Sequence, residues 1–326
     1  MADIVLQDPV GMKKTREGFG HALVDLGASD PRVVVMVGDL VESTMTSFFA
    51  EKYPERFFEI GIAEQNMASI AAGLAAMGKV SFFATYGAFA SCRSADQIRV
   101  SIAYSNLPVK IGGAHGGISV GPDGATHQAM EEFAIIRSIP NMSLVVPCDY
   151  WEARKATRAS AATPGPVYIR FGREDVPVVT DESTPFTFGK GEVFGAGTEV
   201  AVIACGVMVY EALRAREIMK AKGISVRVVN LHTIKPLDRA IIVQAAKETG
   251  AIVTAEEHQV NGGLGGAVAE VLVQEFPVPV EMVAVHDRFG QSGKPAELMA
   301  AFGLKAVDIV AAIERVLSRK GAVARA

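Results

Sequence analysis

The stretch GGAHGGISVGPDGATH, residues 112–127, is the densest group of candidate functional residues in the first part of the chain. Six of its sixteen residues are glycine, which excludes a regular helix and lets the backbone approach a ligand closely. It follows a short apolar run, Val109 to Gly112, that is typical of a buried strand. It also carries His115, Asp123 and His127, and histidine suits proton transfer near neutral pH. The pattern predicts a ligand-binding loop after a buried strand, with a flexible surface loop as the alternative.

Strand-like and helix-like runs alternate on both sides of this loop. Val33 to Val37 reads VVVMV and predicts a buried strand, while Ile62 to Met77 has helical spacing with Gly78 as its stop. Further strands are predicted at 80–85, 144–146 and 167–171. Apolar strands separated by helices predict an α/β fold with a mostly parallel sheet covered on both faces.

The alternation breaks at Val176 to Lys190, which is rich in proline, threonine and acidic residues. It then restarts, with strands predicted at 200–204, 225–229, 251–255 and 280–285 and helices at 209–222, 238–248, 264–276 and 307–317. The sequence therefore predicts two doubly wound α/β domains, residues 1–180 and 191–326, joined by a linker at 181–190. The tail from Arg319 to Ala326 is expected to fray.

Composition narrows the class of protein. The 326 residues are 49% hydrophobic and 21% charged, which fits a soluble globular protein and excludes a disordered one. A net charge of −4 gives no basic footprint, so nucleic acid is not an expected partner, and the apolar runs are too short to span a membrane. Cys92, Cys148 and Cys205 form no CxxC pair, so we expect buried, reduced thiols and no metal site. The sequence shows no secretory signal, and we expect a cytoplasmic location.

Ligands of open α/β sheets bind at the carboxyl ends of the strands, which directs attention to Asp39, Tyr86 and Arg173. Glu64 stands in the first turn of an alanine-rich, apolar helix. Complementing the helix dipole is one explanation, but a buried carboxylate also needs a specific partner. Basic side chains near strand ends, Arg16 and Arg173 among them, would hold an anion if they converge, although single surface arginines are usually solvated.

Five motifs together resemble the thiamine-diphosphate-dependent transketolases. They are GIAEQNM (61–67), YGAF (86–89), HGGISVGPDGATHQ (115–128), RSIPNMSLVVPCD (137–149) and FGRED (171–175). The resemblance runs over roughly residues 12–315 and implies the family's pyrimidine-binding and C-terminal domains. The family's GDG motif for magnesium and diphosphate does not occur here. The resemblance therefore implies a split transketolase, in which an N-terminal partner subunit mainly holds Mg2+. It also implies a heterotetramer with self-association of this chain, which alone would be inactive.

The resemblance also implies roles for residues around the cofactor. Glu64 matches the glutamate that hydrogen-bonds N1′ of the aminopyrimidine and helps generate the cofactor's carbon nucleophile, which suits a buried acid. Phe89 matches the aromatic that packs on the pyrimidine ring, and Asp39 and Tyr86 are expected near the cofactor. The chain departs from full-length transketolases at Cys92 and Ala95, where further aromatics are replaced.

The remaining matches concern the substrate. Asp123 and His127 match residues that contact the donor's hydroxyls, and His127 is a candidate for proton transfer during carbon–carbon cleavage. Four residues match the family's phosphate-binding pocket: Arg16, Ser43, His115 and Arg173. His115 is also a candidate catalytic residue. Two guanidiniums with a serine and a histidine imply a sugar phosphate rather than a neutral acyl group.

The implied reaction moves a two-carbon ketol unit from a ketose phosphate to an aldose phosphate. Two relatives with other reactions stay open: the deoxyxylulose-phosphate synthases, which share DGxTHQ but usually have no match to His115, and the beta subunits of 2-oxo acid dehydrogenases. A non-catalytic regulatory module is the alternative from a different class. Glu256, Glu257 and His258 in the second domain are interpreted as interface or loop-anchoring residues.

Overall fold

A computed structural model describes residues 4, 6 and 11–323 of the chain. The strands, in chain order, are β1 (Met12–Lys14), β2 (Val33–Val37), β3 (Phe57–Glu59), β4 (Val80–Tyr86), β5 (Val109–Ala114), β6 (Ser143–Val145), β7 (Val167–Arg170), β8 (Asp175–Pro177), β9 (Glu192–Gly195), β10 (Val200–Ala204), β11 (Val226–Asn230), β12 (Thr233–Lys235), β13 (Ile252–Gln259) and β14 (Val280–Val285).

The α-helices are α1 (Thr15–Ser29), α2 (Ser47–Lys52), α3 (Glu64–Ala76), α4 (Ala95–Gln97), α5 (Glu132–Ser138), α6 (Tyr150–Ala162), α7 (Met208–Ala221), α8 (Arg239–Thr249), α9 (Leu264–Glu275), α10 (Pro295–Ala301) and α11 (Ala306–Val323). Short 3-10 turns lie at Pro54–Arg56 and Ile118–Val120, and wider π-helical turns at Phe89–Arg93 and Ile98–Ala103 flank α4.

The first sheet has the strand order β12-β6-β7-β5-β4-β2-β3 among the described residues. All of its neighbours pair in parallel except β12, which lies antiparallel to β6. Its central strands are apolar on both sides, so Phe82 packs with one core cluster and Phe83 with another. Burial on both faces is what a parallel, doubly wound sheet requires.

The second sheet has the order β14-β13-β10-β11-β9, and its antiparallel member is the edge strand β9. One apolar cluster runs through both units, from Met67 and Phe83 to Leu231 and Leu264. The two units therefore share a core. The predicted fold class, two doubly wound α/β units, is confirmed.

The structure corrects three details. Thr233–Lys235 of the second unit forms an edge strand of the first sheet, which was not predicted. The tail does not fray at Arg319, because α11 continues there and this guanidinium donates to the Glu281 carboxylate at 2.7 Å; residues 324–326 lie outside the described residues. The Cys92 thiol is exposed rather than buried, since it stands on the π-helical turn that faces a cleft. No helix among the described residues is long and apolar enough to cross a membrane.

Candidate active site

The predicted site residues come together at one edge of the first sheet. Asp39 follows β2, Tyr86 ends β4, His115 follows β5 and Arg173 comes shortly after β7. Because β2, β4, β5 and β7 are neighbouring parallel strands, their carboxyl ends open at the same edge. This is where ligands of open α/β sheets bind.

Glu64 is the first residue of α3, where the helix dipole favours a carboxylate. Its side chain is only 2% exposed, so the helix dipole alone does not account for the burial of this carboxylate. The Arg93 guanidinium donates from Nη1 to both Glu64 carboxylate oxygens at 2.9 Å. The partner that a buried carboxylate needs is therefore an arginine from the π-helical turn.

An aromatic wall stands beside this pair. The ring of Tyr86 lies 4.1 Å from His115 and 5.8 Å from Phe89, measured between centroids. His127 closes the wall, with its ring 5.5 Å from Tyr86 and 5.3 Å from Phe89. Residues predicted separately for cofactor and for substrate thus form one continuous surface.

His115 has a positive φ of 56° and a side chain that is buried against Tyr86. Burial first, and then the nearby charges of Arg16 and Arg173, lower the pKa of His115 to about 3. At pH 7 its imidazole is therefore neutral and suited to hydrogen bonding rather than to donating a proton as an acid. His127, half-buried with Nδ1 2.8 Å from Thr126 Oγ1, stays a candidate for proton transfer.

Arg16 and Ser43 lie against the same wall. Arg16 Nη1 donates to the Ser43 carbonyl at 3.0 Å, and the Tyr86 hydroxyl donates to Ser43 Oγ at 3.4 Å. Burial first, and then the nearby charge of Arg173, lower the pKa of Arg16. Two neighbouring cations destabilise each other, and an anion between them would remove that cost.

Arg173 and Asp39 are the more accessible members of the set. Arg173 Nη1 lies 3.0 Å from Asp123 Oδ1, so a bound anion would share this guanidinium with a carboxylate. Asp39 is exposed, and its backbone N–H donates to Glu59 at 2.7 Å. The preceding residue, Gly38, packs against the Gly61 carbonyl, which places Asp39 close to the start of α3.

Residues of the second unit contact the glycine-rich loop at residues 112–127 and the segment that follows it. Glu257 Oε1 accepts from the backbone N–H of Ser119 at 2.5 Å. Gly117 has φ of +86°, and a Cβ there would stand 2.2 Å from the Glu257 carboxyl carbon, so only glycine fits. His258 Nε2 accepts from the Phe133 N–H at 3.1 Å. These contacts agree with the interface and loop-anchoring interpretation of this segment.

Two residues of the site were missed by sequence reasoning. Arg93 stands four positions after Phe89, and an aromatic followed by arginine at this helical spacing was the available signal. Phe289 comes from the second unit and is 80% exposed. It lines a cleft of about 640 Å³ together with Phe89, Arg93 and Thr126. No local pattern in the sequence joins Phe289 to the first unit.

Comparison with known families gives two matches. Residues 12–179 match the transketolase pyrimidine-binding domain, and residues 189–309 match the transketolase C-terminal domain. The chain is 44% identical over 300 residues to a Methanocaldococcus jannaschii protein named "Putative transketolase C-terminal section", with 91% of this chain and 94% of the relative covered.

Two further similarities concern subunits and solved structures. A 6-deoxy-6-sulfo-D-fructose transketolase subunit of Clostridium sp. (strain MSTE9) is 41% identical, with 94% of this chain and 95% of that protein covered. A solved structure described as a split gene transketolase, inactive beta4 tetramer, is 47% identical with a TM-score of 0.89. The match covers 94% of this chain and 99% of that one.

Proposed function

The chain belongs to the transketolase family, and we propose that it is the C-terminal subunit of a two-chain enzyme that transfers a two-carbon ketol unit from a ketose phosphate to an aldose phosphate. The observation that carries this proposal is the slot between the buried Glu64 carboxylate and the Phe89 ring. His127 packs against Phe89, and Tyr86 connects Phe89 to His115 and Ser43, so nucleophile, proton carrier and anion site would lie together.

The residues of the slot fit thiamine diphosphate. A planar group that donates hydrogen bonds already occupies it, because the Arg93 guanidinium lies 4.3 Å above the Phe89 ring and donates to Glu64. The aminopyrimidine of the cofactor is likewise planar and, when protonated at N1′, donates to a carboxylate. Glu64 and Phe89 would hold that ring, with Tyr86 and Asp39 beside it. When bound, thiamine diphosphate supplies the carbon nucleophile for the ketose carbonyl.

The chain's own residues would then orient the substrate and move its protons. His127 would exchange a proton with the substrate hydroxyl during carbon–carbon cleavage, and Asp123 would fix the neighbouring hydroxyls. His115, which is neutral at pH 7, would donate or accept a hydrogen bond near the reacting carbons or the phosphate. Burial lowers the pKa of His115, which supports giving hydrogen bonding to His115 and proton transfer to His127.

The anion site supports an acidic sugar as substrate. Arg16 donates to the Ser43 carbonyl, and the charge of Arg173 is close enough to lower the pKa of Arg16, so a phosphate bound here would offset the repulsion between the two guanidiniums. A sulfonate has a similar shape with a single charge, and one relative is named for a 6-deoxy-6-sulfo sugar. Sugar phosphates are our proposal, and sulfonated sugars are the second candidate within the same reaction class.

No three His, Cys, Asp or Glu side chains among the described residues form a group that could hold a metal ion. Following the resemblance, we assign Mg2+ and the cofactor's diphosphate to an N-terminal partner subunit in a heterotetramer. We also propose a cytoplasmic location and a unit boundary at residues 181–190, which the ends of the two family matches support.

Reconstitution tests the function. We expect the chain mixed with its N-terminal partner, thiamine diphosphate and Mg2+ to transfer a ketol unit from a ketose phosphate to an aldose phosphate. Product formation by chromatography is the readout, with each subunit alone as the control. Release of carbon dioxide from pyruvate instead would indicate a deoxyxylulose-phosphate synthase-like or dehydrogenase-like reaction. A pair that binds no cofactor would indicate a regulatory module.

Arg173→Ala tests the anion site. Removing this guanidinium takes away a charge-assisted hydrogen bond, so we expect KM for the ketose phosphate to rise about 10- to 100-fold, with kcat much less affected. Arg158→Ala is the matched control, because Arg158 is 61% exposed and pairs only distantly with Asp25 at 4.0 Å. An unchanged KM in the Arg173 variant would show that the phosphate pocket is misassigned.

A further inference from the structure

The Arg93 guanidinium fills the slot that the proposed function gives to the cofactor. Its Nη1 lies 2.9 Å from each Glu64 carboxylate oxygen, and its central carbon lies 4.3 Å from the Phe89 ring centroid. The two partners differ in exposure, since the Arg93 side chain is 45% exposed and that of Glu64 is 2% exposed. The partly exposed Arg93 side chain therefore extends inward to the buried Glu64 carboxylate.

Arg93 and Phe89 are the two ends of a π-helical turn. The Ser94 N–H donates to the Phe89 carbonyl five residues earlier, at 3.2 Å, which widens the turn beyond that of an α-helix. Side chains four residues apart lie on one face of a helix, and here the guanidinium of Arg93 stacks on the Phe89 ring. Widened turns of this kind are common at functional sites.

The guanidinium and the aminopyrimidine have the same recognition chemistry. Both groups are planar, both can stack on an aromatic ring, and both can donate hydrogen bonds to a carboxylate. For the guanidinium, these are a cation–π contact and a charge-assisted hydrogen bond. Resting on the proposed function, we propose that Arg93 is a built-in plug of the pyrimidine site. It closes the slot in the chain without cofactor and swings out to the cleft when the aminopyrimidine enters.

The energetics of the pair suit such an exchange. Without a partner, the buried Glu64 carboxylate would be costly, so the plug stabilises the empty site. Arg93 can leave without being desolvated, because its side chain is 45% exposed and borders an open cleft of about 640 Å³, while the cost of unpairing Glu64 is avoided only when a ligand takes the place of the guanidinium. A flexible arginine side chain can therefore give way to a ligand that makes the same contacts.

Binding of the pyrimidine alone tests the plug. The probe is 4-amino-5-hydroxymethyl-2-methylpyrimidine, titrated by calorimetry into the full chain. We expect Arg93→Ala to tighten the Kd about tenfold, equivalent to about 1.4 kcal/mol. Arg93→Lys, which keeps the charge without the planar fork, should give an intermediate value. Arg99→Ala removes an exposed arginine of the neighbouring π-helical turn and should leave the Kd unchanged.

A second titration separates the plug from the proposed function. Thiamine diphosphate with Mg2+ is titrated into the reconstituted pair, whose wild-type form is expected to bind and whose Arg93→Ala form is expected to bind more tightly. Wild-type binding with an equal or weaker Kd in the variant would overturn the plug and leave the function standing. A wild-type pair that binds no cofactor would overturn both. Melting temperatures check that every variant is folded.

Discussion

Glu64→Ala is expected to lower ketol transfer by the reconstituted pair by about two to four orders of magnitude, the usual effect of removing a catalytic proton-handling group. The Glu64 carboxylate is the buried group that faces the Phe89 ring across the slot, and nothing in the alanine side chain replaces its hydrogen bond. Initial rates at saturating ketose phosphate and cofactor measure the effect. Glu64→Gln keeps the shape without the carboxylate and should lose nearly as much.

The control for this variant is a glutamate in a similar ion pair on the surface. Glu270 lies 2.7 Å from Arg137 and is 63% exposed, so Glu270→Ala should retain normal rates. Exchange of the cofactor's C2 proton with deuterated water, followed by NMR, separates chemistry from binding. If the Glu64→Ala pair keeps full ketol transfer and normal exchange, the assignment of Glu64 is wrong.

Arg170→Met is expected to reduce the free energy of unfolding by about 3–5 kcal/mol, because it removes the cation from a buried cluster with two glutamates. Arg170 lies within 3.3 Å of Glu132 and 3.4 Å of Glu257, and all three side chains are almost completely buried. Burial raises the pKa of Glu132 to about 8 although the charge of Arg170 opposes this shift, so Glu257 is the main carboxylate partner of the guanidinium near pH 7. Urea unfolding followed by circular dichroism measures the loss.

A surface pair provides the comparison for Arg170. Arg154 lies 2.7 Å from Asp25 in a half-buried ion pair, so Arg154→Met should cost at most about 1 kcal/mol. Converting Glu132 and Glu257 to glutamine in the Arg170→Met background should restore most of the stability, because no buried charge then lacks a partner. A loss below about 1 kcal/mol in Arg170→Met would contradict the role given to the cluster.

Much of the fold could be predicted because its strands are short, apolar runs with sharp ends. Val33–Val37, Val200–Ala204 and Val280–Val285 begin and end as expected. The helix Tyr150–Ala162 was not predicted, because its many polar residues obscure the apolar spacing of the face that packs against α1. Thr233–Lys235 was not predicted either, because a three-residue edge strand has no pattern of its own.

The site divides in the same way. Residues inside motifs, such as Glu64 and His127, could be found from the sequence because their neighbours identify them. The partner of Glu64 was missed, because an arginine four positions after an aromatic residue does not show which carboxylate its guanidinium reaches in the fold. Phe289 lies far from the motifs in the chain, and only packing of the two units brings it to the cleft.

The edge strand β12 has a consequence for how this protein can be divided. It pairs with β6, so the second unit covers an edge of the first unit's sheet. A fragment that ends at the linker would open that edge, and open edges recruit strands from other molecules. We therefore do not expect the first unit to be stable when it is separated from the second. Its fusion or transplantation into another enzyme would require the trailing half, or a substitute strand, to keep it from aggregating.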